Sequence, residues 1–260
     1  MHTESPLAPA PVLEPRLIRA EIFVVMSVSL GASALVALVR LIGALTAPKE
    51  LKGQQAVLVG SMAPDRPWLD LALQLVQIAV SVAPVALVAY LLVRSGESMR
   101  TIGADFRRPG GDLARGALLA AGIGGTGLAF YLAVWASGIN LTVVPGALPE
   151  VWWQVPVLLL AAAQNGVLEE VLVAGYLLHR LQQAGWTPWK ALAVSSLLRG
   201  SYHLYQGFGG FVGNVVMGVV FGWCYQRWGR AMPLVIAHTL IDAVAFVGYA
   251  FLHGKVSWLP

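Results

Sequence analysis

The chain alternates long apolar stretches with short polar segments over most of its length. Seven of the apolar stretches have close to the ~20 residues that a helix needs to cross a bilayer, and the pattern predicts seven membrane-spanning helices. Their approximate bounds are 22–46, 68–93, 113–137, 151–178, 188–206, 209–226 and 232–252. Pro84 is expected to kink the second helix. The predicted fold is an all-α, polytopic transmembrane bundle, formed as a single domain by residues 21–255.

The composition agrees with a membrane protein. Of the 260 residues, 57% are hydrophobic and only 12% are charged, whereas soluble domains carry about 25% charged residues. The net charge of +4 does not indicate a nucleic-acid partner, because basic residues in membrane proteins first determine topology. The single cysteine, Cys224, excludes an internal disulfide and a metal site of several cysteines.

Residues 1–20 are rich in proline with mixed charge, and they predict a disordered cytoplasmic tail. Basic residues are concentrated in alternate polar segments. The positive-inside rule then places the N-terminus in the cytoplasm and the C-terminus outside the cell. We therefore expect a multi-pass protein of the plasma membrane, with membrane lipid as its first partner. The segments predicted to be cytoplasmic hold Arg16, Arg19, Arg94, Arg100, Arg107, Arg108, Arg115, Arg180, Lys190, Arg227 and Arg230.

Two adjacent carboxylates, Glu169 and Glu170, lie inside the otherwise apolar run from Ala161 to Arg180. A charge at the centre of a bilayer costs roughly 2.5–3.5 kcal/mol on insertion scales. Such residues are expected to face a protein interior or a wet cavity and to mark a functional site. The remaining polar residues of the predicted spans are candidates for contact with these acids.

Four further ionisable residues of the C-terminal half are candidates for contact with the two acids. His203 lies at the end of the fifth span, and Arg199 precedes it by one helical turn on the same face. His238 and Asp242 lie four residues apart in the seventh span, again on one helix face. Three helices of the C-terminal half therefore bring ionisable groups into the membrane.

These residue types suit two kinds of chemistry. A carboxylate with an imidazole is sufficient to activate water by general base catalysis, and a second histidine could stabilise an oxyanion. Histidine and carboxylate oxygen also suit zinc, in which case the ligands would be Glu169, His203, His238 and Asp242. No other cofactor is expected.

The order of these residues resembles that of the CPBP family. The shared pattern is two adjacent glutamates, a histidine on the next helix, and a histidine with a polar residue four positions later. The family comprises the type II CAAX prenyl endopeptidases and the bacteriocin-processing or immunity proteins, also called Abi. The similarity covers about residues 150–250, with GYLL after the acids and HLYQG at His203 as further detail. It implies an all-helical intramembrane protease, long treated as metal-dependent and now generally regarded as a glutamate-type peptidase.

The resemblance also implies a role for each site residue. Glu169 would be the general base, and His203 its partner in activating water. Glu170 would support the site. His238 and the residue at position 242 would hold the oxyanion of the tetrahedral intermediate.

Three positions depart from the family pattern. Ala174 stands where an arginine is usual, Arg199 where a phenylalanine is usual, and Asp242 where an asparagine is usual. One hypothesis links the first two: Arg199 supplies, from the neighbouring helix, the positive charge that is missing at Ala174. An ionised Asp242 would repel an oxyanion. Three interpretations remain for it, namely protonation in a dry site, orientation of His238, and metal ligation.

The predicted function is that of a bacterial membrane endopeptidase that hydrolyses a peptide bond in a membrane-associated peptide or protein. One alternative is a non-catalytic scaffold or immunity protein that keeps the polar residues for structure. Another is a proton-coupled transporter with a relay of Glu and His, although the sequence shows no internal repeat of the kind common in transporters. The sequence does not determine the substrate, the cleavage position or the oligomeric state, and nucleic acid is not an expected partner.

Overall fold

A computed structural model describes residues 14–256 and 259 of the chain, and most of these residues are helical. This part of the chain contains one π-helical segment, Glu170–Leu177, between α6 and α7. The predicted helical fold is confirmed, and a small sheet that was not predicted is added to it. The elements in chain order are α1 (Pro15–Ser27), α2 (Leu30–Thr46), β1 (Gln55–Gly60), α3 (Pro67–Ser81), α4 (Ala83–Arg94), α5 (Pro109–Ala136), β2 (Thr142–Ala147), α6 (Gln154–Glu169), α7 (Leu178–Gln183), α8 (Pro188–Ser201), α9 (Phe208–Trp228) and α10 (Met232–Leu252).

Six of the seven predicted spans correspond to long apolar helical stretches. Within the described residues, five stretches are long and apolar enough to cross a membrane, and α1 with α2 forms a sixth if this pair, bent by 48°, counts as one span. The five are Pro67–Arg94, Pro109–Ala136, Gln154–Gln183, Phe208–Trp228 and Met232–Leu252. The exception is the predicted span 188–206, where α8 has only 14 residues. Such a helix is about 21 Å long, and the hydrocarbon core is about 30 Å thick. The count of seven is therefore not confirmed.

The N-terminal half differs from the expectation in two details. Helix α1 begins at Pro15, so residues 15–20 of the predicted tail are helical, and residues 1–13 lie outside the described part of the chain. The second span is interrupted at Val82, between α3 and α4. The break precedes Pro84, which has no amide hydrogen to donate to the helix.

Helix α8 is short, and one of its faces packs against neighbouring helices while Trp189 and Leu197 on another side remain exposed. It ends at Ser201, and the chain then passes through the 3₁₀ turn Leu204–Gln206 into α9. Helix α9 can approach α8 closely at Gly218, where a Cβ atom would lie 2.9 Å from the Cα of Ser196. This approach places Arg199 of α8 in the interior, with only 1% of its surface exposed.

The small sheet lies at one end of the bundle. Strands β1 and β2 pair in parallel, from Gln55 with Thr142 to Gly60 with Ala147. Just before β2, Asn140 forms an antiparallel bridge with Gly207, and its side-chain oxygen accepts a hydrogen bond of 3.1 Å from the backbone N–H of Gly209. The loops at this end of the bundle therefore hold the turn that follows His203.

Helices α6 and α10 cross closely at Gly166. A Cβ atom at this position would lie 2.5 Å from Thr239 Oγ1 and 2.9 Å from the carbonyl oxygen of Val235. Only glycine leaves room for this crossing. Since Thr239 follows His238 and Gly166 precedes Glu169 by three residues, the crossing sets the distance between the two acids on one helix and His238 on the other.

The opposite end of the bundle is joined by ion pairs around Arg180 of α7. The guanidinium donates a hydrogen bond of 2.7 Å to Glu97, which lies after α4, and its Nε lies 3.1 Å from Glu21 of α1. His179 Nε2 donates to the second oxygen of Glu97 at 2.6 Å. The hydroxyl of Tyr176 donates to Glu21 at 2.6 Å. These bonds anchor the end of the helical stretch that carries the two acids.

We expect Gly166→Ala to reduce the stability of the bundle, because the added methyl group overpacks the α6–α10 crossing. Overpacking of this kind typically costs about 1–3 kcal/mol. Thermal unfolding in detergent micelles would measure the change. Gly122→Ala in α5 is the matched control, because nothing lies within 4 Å of a Cβ atom there, and alanine favours a helix by roughly 0.5–1 kcal/mol. Equal stability of the two variants would contradict the close crossing.

The ion pairs at Glu97 predict a loss of stability in acid. Burial raises the pKa of Glu97, but the hydrogen bond and charge of His179 and the charge of Arg180 outweigh it, so that the pKa lies below its ordinary value of 4.5. The carboxylate therefore stabilises the fold above pH 4.5, and this contribution is lost as the pH falls through the lower folded-state pKa. The stability advantage of the native protein over Glu97→Gln should shrink in that range.

Thermal unfolding at a series of pH values would measure this difference. The same change at the exposed Glu50 provides the control and should alter stability by less at neutral pH. An advantage over Glu97→Gln that stayed constant down to the acid limit of folding would be inconsistent with a stabilising carboxylate at position 97.

Candidate active site

The two acids lie where α6 passes into the π-helical segment. Glu169 is the last residue of α6 and Glu170 is the first of the π-helical segment. They are 8% and 0% exposed, so both carboxyl groups are held inside the bundle. Short π-helical stretches occur frequently at functional sites. Here the change of helix type occurs between the two residues that the sequence singles out.

Arg199 provides the positive charge for both acids. Its Nη1 donates a hydrogen bond of 2.6 Å to Glu170 Oε1, and its Nη2 lies 3.5 Å from Glu169 Oε2. The guanidinium also lies over the ring of Phe221, 5.3 Å from its centroid. Arginine stays charged in proteins, so the pair of carboxylates has a permanent partner. Ala174 is an uncharged buried residue, and the cation beside the two acids comes from α8.

Glu170 is enclosed on all sides. The same oxygen that accepts from Arg199 lies 2.8 Å from His238 Nδ1, and the other oxygen, Oε2, has no hydrogen-bond partner within the described residues. Arg199 Nη2 lies 3.2 Å from the same His238 nitrogen. Glu170, Arg199 and His238 thus form one buried cluster that links the π-helical segment, α8 and α10.

Glu169 has a more open environment. Its Oε2 accepts a hydrogen bond of 2.8 Å from the hydroxyl of Tyr202, and its Oε1 lies 4.0 Å from His203 Nε2. The Glu169 and His203 side chains are 11% and 13% exposed. A separation of 4.0 Å is too long for a direct hydrogen bond, and a single water molecule can bridge it.

The position of His203 determines which of its ring nitrogens carries the proton. Its Nδ1 lies 3.0 Å from the backbone carbonyl oxygen of Arg199. A carbonyl oxygen can only accept, so Nδ1 is the donor, and in the neutral ring Nε2 is an acceptor. Two hydrogen-bond acceptors, His203 Nε2 and Glu169 Oε1, therefore face each other across the gap.

Asp242 lies between His238 and Asn165. One of its oxygens accepts a hydrogen bond of 2.8 Å from the side-chain amide of Asn165, and the other lies 3.8 Å from His238 Nε2. The Asp242 side chain is 19% exposed. The structure thus brings Asp242 together with a neutral donor from α6.

The predicted zinc ligands do not assemble as one set. Within the described residues, the group of donors lying within 4.8 Å of one another is Glu169, Glu170 and His238, and His203 and Asp242 fall outside it. Arg199 already contacts all three members of the group. A divalent ion among them would face the repulsion of the guanidinium. The arrangement does not fit a zinc ion, and no step of the proposed chemistry passes through a metal.

Two site residues were not predicted from the sequence. Tyr202 directly precedes His203, and its hydroxyl reaches Glu169 through the turn at the end of α8. Asn165 precedes Glu169 by four residues, and this spacing puts both on one helix face. The spacing rule that paired His238 with Asp242 could also have identified Asn165.

The region that contains these residues matches a known family. Residues 151–244 match the family model described as Type II CAAX prenyl endopeptidase Rce1-like. This confirms the family resemblance predicted from the motifs, for this segment of the chain. The matched segment includes all of the predicted site residues. No curated protein and no solved structure matches the chain.

We expect Arg199→Phe to destabilise the protein strongly, because it leaves two buried carboxylates without their cation. Removing one partner of a buried ion pair typically costs about 3–5 kcal/mol. Adding Glu170→Gln to this variant removes one of the stranded charges and should recover part of the loss. Thermal unfolding of both variants in micelles would measure the two changes.

Arg40→Phe is the matched control, because Arg40 is an exposed arginine of α2. It should be less destabilising than Arg199→Phe. A second-site variant, Ala174→Arg, tests whether a charge on the π-helical segment can replace the one on α8, and it should raise the stability of Arg199→Phe. An Arg199→Phe protein as stable as the control would refute the assignment of Arg199 as the counter-charge.

Proposed function

We propose that the Rce1-like segment forms the catalytic core of an intramembrane endopeptidase that hydrolyses a peptide bond in a membrane-associated peptide or protein. The observation that carries the proposal is the difference in environment between the two acids. Glu170 is sealed against Arg199 and His238, whereas Glu169 keeps one oxygen facing His203 across 4.0 Å. The match to an endopeptidase family supports the same reaction class.

In the proposed mechanism a water molecule occupies the gap between Glu169 and His203. Its two O–H groups donate to Glu169 Oε1 and His203 Nε2, which leaves a lone pair of the water oxygen free to attack. As the new C–O bond forms, the peptide carbonyl electrons move to its oxygen, and the water proton passes to one of the two bases. The oxyanion electrons then re-form the carbonyl, the C–N bond breaks, and the leaving amine takes the proton from that base.

The neighbouring groups orient the two bases. The hydroxyl of Tyr202 holds one oxygen of Glu169, which leaves the other directed at the water. The backbone carbonyl of Arg199 fixes the tautomer of His203. His238 is held through Nδ1, and its Nε2 lies on the side of Asp242. When its ring is protonated, the Nε2–H can donate to the developing oxyanion.

The exposed fractions of the side chains support entry of substrate and water from one side of the site. Glu169, His203 and Asp242 are 11%, 13% and 19% exposed, whereas Glu170 and Arg199 are 0% and 1% exposed. Substrate and water would thus meet at the Glu169–His203 side of the cluster. The long apolar helices and the distribution of basic residues support a multi-pass protein of the plasma membrane with a cytoplasmic N-terminus.

The proposed function can be tested by a quantitative map of peptide termini. Membranes and medium of cells with the native protein would be compared with those of cells with Glu169→Gln, at equal expression. We expect at least one terminus that is present only with the native protein, because Glu169→Gln removes the base. His203→Ala should lose the same terminus. Glu50→Gln, a change of an exposed loop carboxylate, should retain it.

Two other outcomes would replace this proposal. If no terminus differs under several growth conditions, the polar cluster serves structure, and the protein is better described as a membrane scaffold. If the native protein supports proton-coupled flux in liposomes and Glu169→Gln does not, the cluster is a proton relay.

A further inference from the structure

The side chain at position 242 poses a chemical difficulty for the proposed reaction. A tetrahedral intermediate carries a negative charge on the former carbonyl oxygen, and such sites stabilise it with N–H or O–H donors. An ionised Asp242 has no hydrogen to donate and would repel the oxyanion. A neutral N–H donor beside His238 would stabilise the oxyanion without this repulsion.

Asn165 is placed to provide that donor. Its side-chain nitrogen donates one hydrogen bond of 2.8 Å to Asp242 Oδ2. A carboxamide nitrogen carries two hydrogens, and the described residues offer no other partner for this nitrogen. Asn165 precedes Glu169 by four residues of α6, so its side chain lies on the same helix face as the base.

The fold fixes this amide relative to the α10 residues. Gly166 allows α6 and α10 to cross closely at Val235 and Thr239. The crossing keeps Asn165 beside Asp242, in the same way that it keeps Glu170 beside His238. The carboxylate of Asp242 thus lies between the Asn165 amide at 2.8 Å and His238 Nε2 at 3.8 Å.

We propose that the Asn165 side-chain amide binds the oxyanion of the tetrahedral intermediate, and that Asp242 is a positioning residue for Asn165 and His238. This inference rests on the proposed function. The first hydrogen of the amide stays on Asp242, and the second points to the oxyanion. The carboxylate acts only as an acceptor, and the amide separates its charge from that of the intermediate.

The test uses the full-length protein in micelles or liposomes and a peptide that spans the site found by the terminus map. Asn165→Leu keeps the approximate shape of the side chain and removes both hydrogens. We expect kcat to fall about 10²–10³-fold, the usual effect of removing an oxyanion donor, with little change in KM. A residue with a purely structural role would not be expected to act on kcat alone.

The rescue variant is Asp242→Asn, which places an amide where the carboxylate lies. In the double variant Asn165→Leu with Asp242→Asn, the new amide can donate to the oxyanion. We expect kcat at least about tenfold above that of Asn165→Leu alone, which corresponds to about 1.4 kcal/mol of transition-state stabilisation. Thr239→Val is the matched control, because it alters the same helix crossing and leaves the Asn165–Asp242 bond in place.

Three results would overturn the inference. One is a kcat of Asn165→Leu within threefold of the Thr239→Val value, and another is a double variant no faster than Asn165→Leu. The third is a fall in thermal stability of Asn165→Leu large enough to account for its lost activity. If the native protein shows no cleavage that depends on Glu169, the proposed function fails first, and the role of Asn165 fails with it. Glu169-dependent cleavage that is indifferent to Asn165 would reject this inference alone.

Discussion

The structure depends on one buried guanidinium shared between two carboxylates. A single charge in an apolar bundle is costly, and two adjacent acids would also repel each other. Arg199 compensates both effects, because its nitrogens reach Glu170 at 2.6 Å and Glu169 at 3.5 Å. The interaction ties α8 to the π-helical segment, and the bond from Glu170 to His238 extends the cluster to α10. Three elements are thereby linked by polar contacts within the apolar bundle.

The same interaction divides the acids into two roles. Glu170 accepts the short hydrogen bond from Arg199, contacts His238 and is buried. Its charge is therefore paired inside the bundle. Glu169 receives a longer contact from Arg199 and a hydrogen bond from Tyr202, and one of its oxygens remains available. Two residues that are adjacent in sequence and identical in chemistry thus have different environments, because consecutive side chains of a helix point in different directions.

Hydropathy predicted most of the bundle, because a helix that crosses a membrane must be long and apolar. The stretch 188–206 does not form one long helix, because α8 ends at Ser201 and the chain turns through Leu204–Gln206 into α9. Strands β1 and β2 were missed because their pairing joins segments more than eighty residues apart. Glu169, Glu170, Arg199 and His238 could be predicted as candidate site residues, because burying a charge in a membrane is costly. Asn165 and Tyr202 are neutral, and their significance depends on which side chains they meet.

The early end of α8 has a consequence for the chemistry of His203. The last carbonyl groups of a helix have no backbone donor within that helix. Beyond Ser201, the N–H groups of Tyr202 and His203 bond to Leu198 and Gly200. The carbonyl of Arg199 is thus left to accept from the imidazole. In an uninterrupted helix this carbonyl would bond to the main chain four residues on. A helix too short to cross the bilayer is therefore what makes the imidazole a proton acceptor on the side facing Glu169.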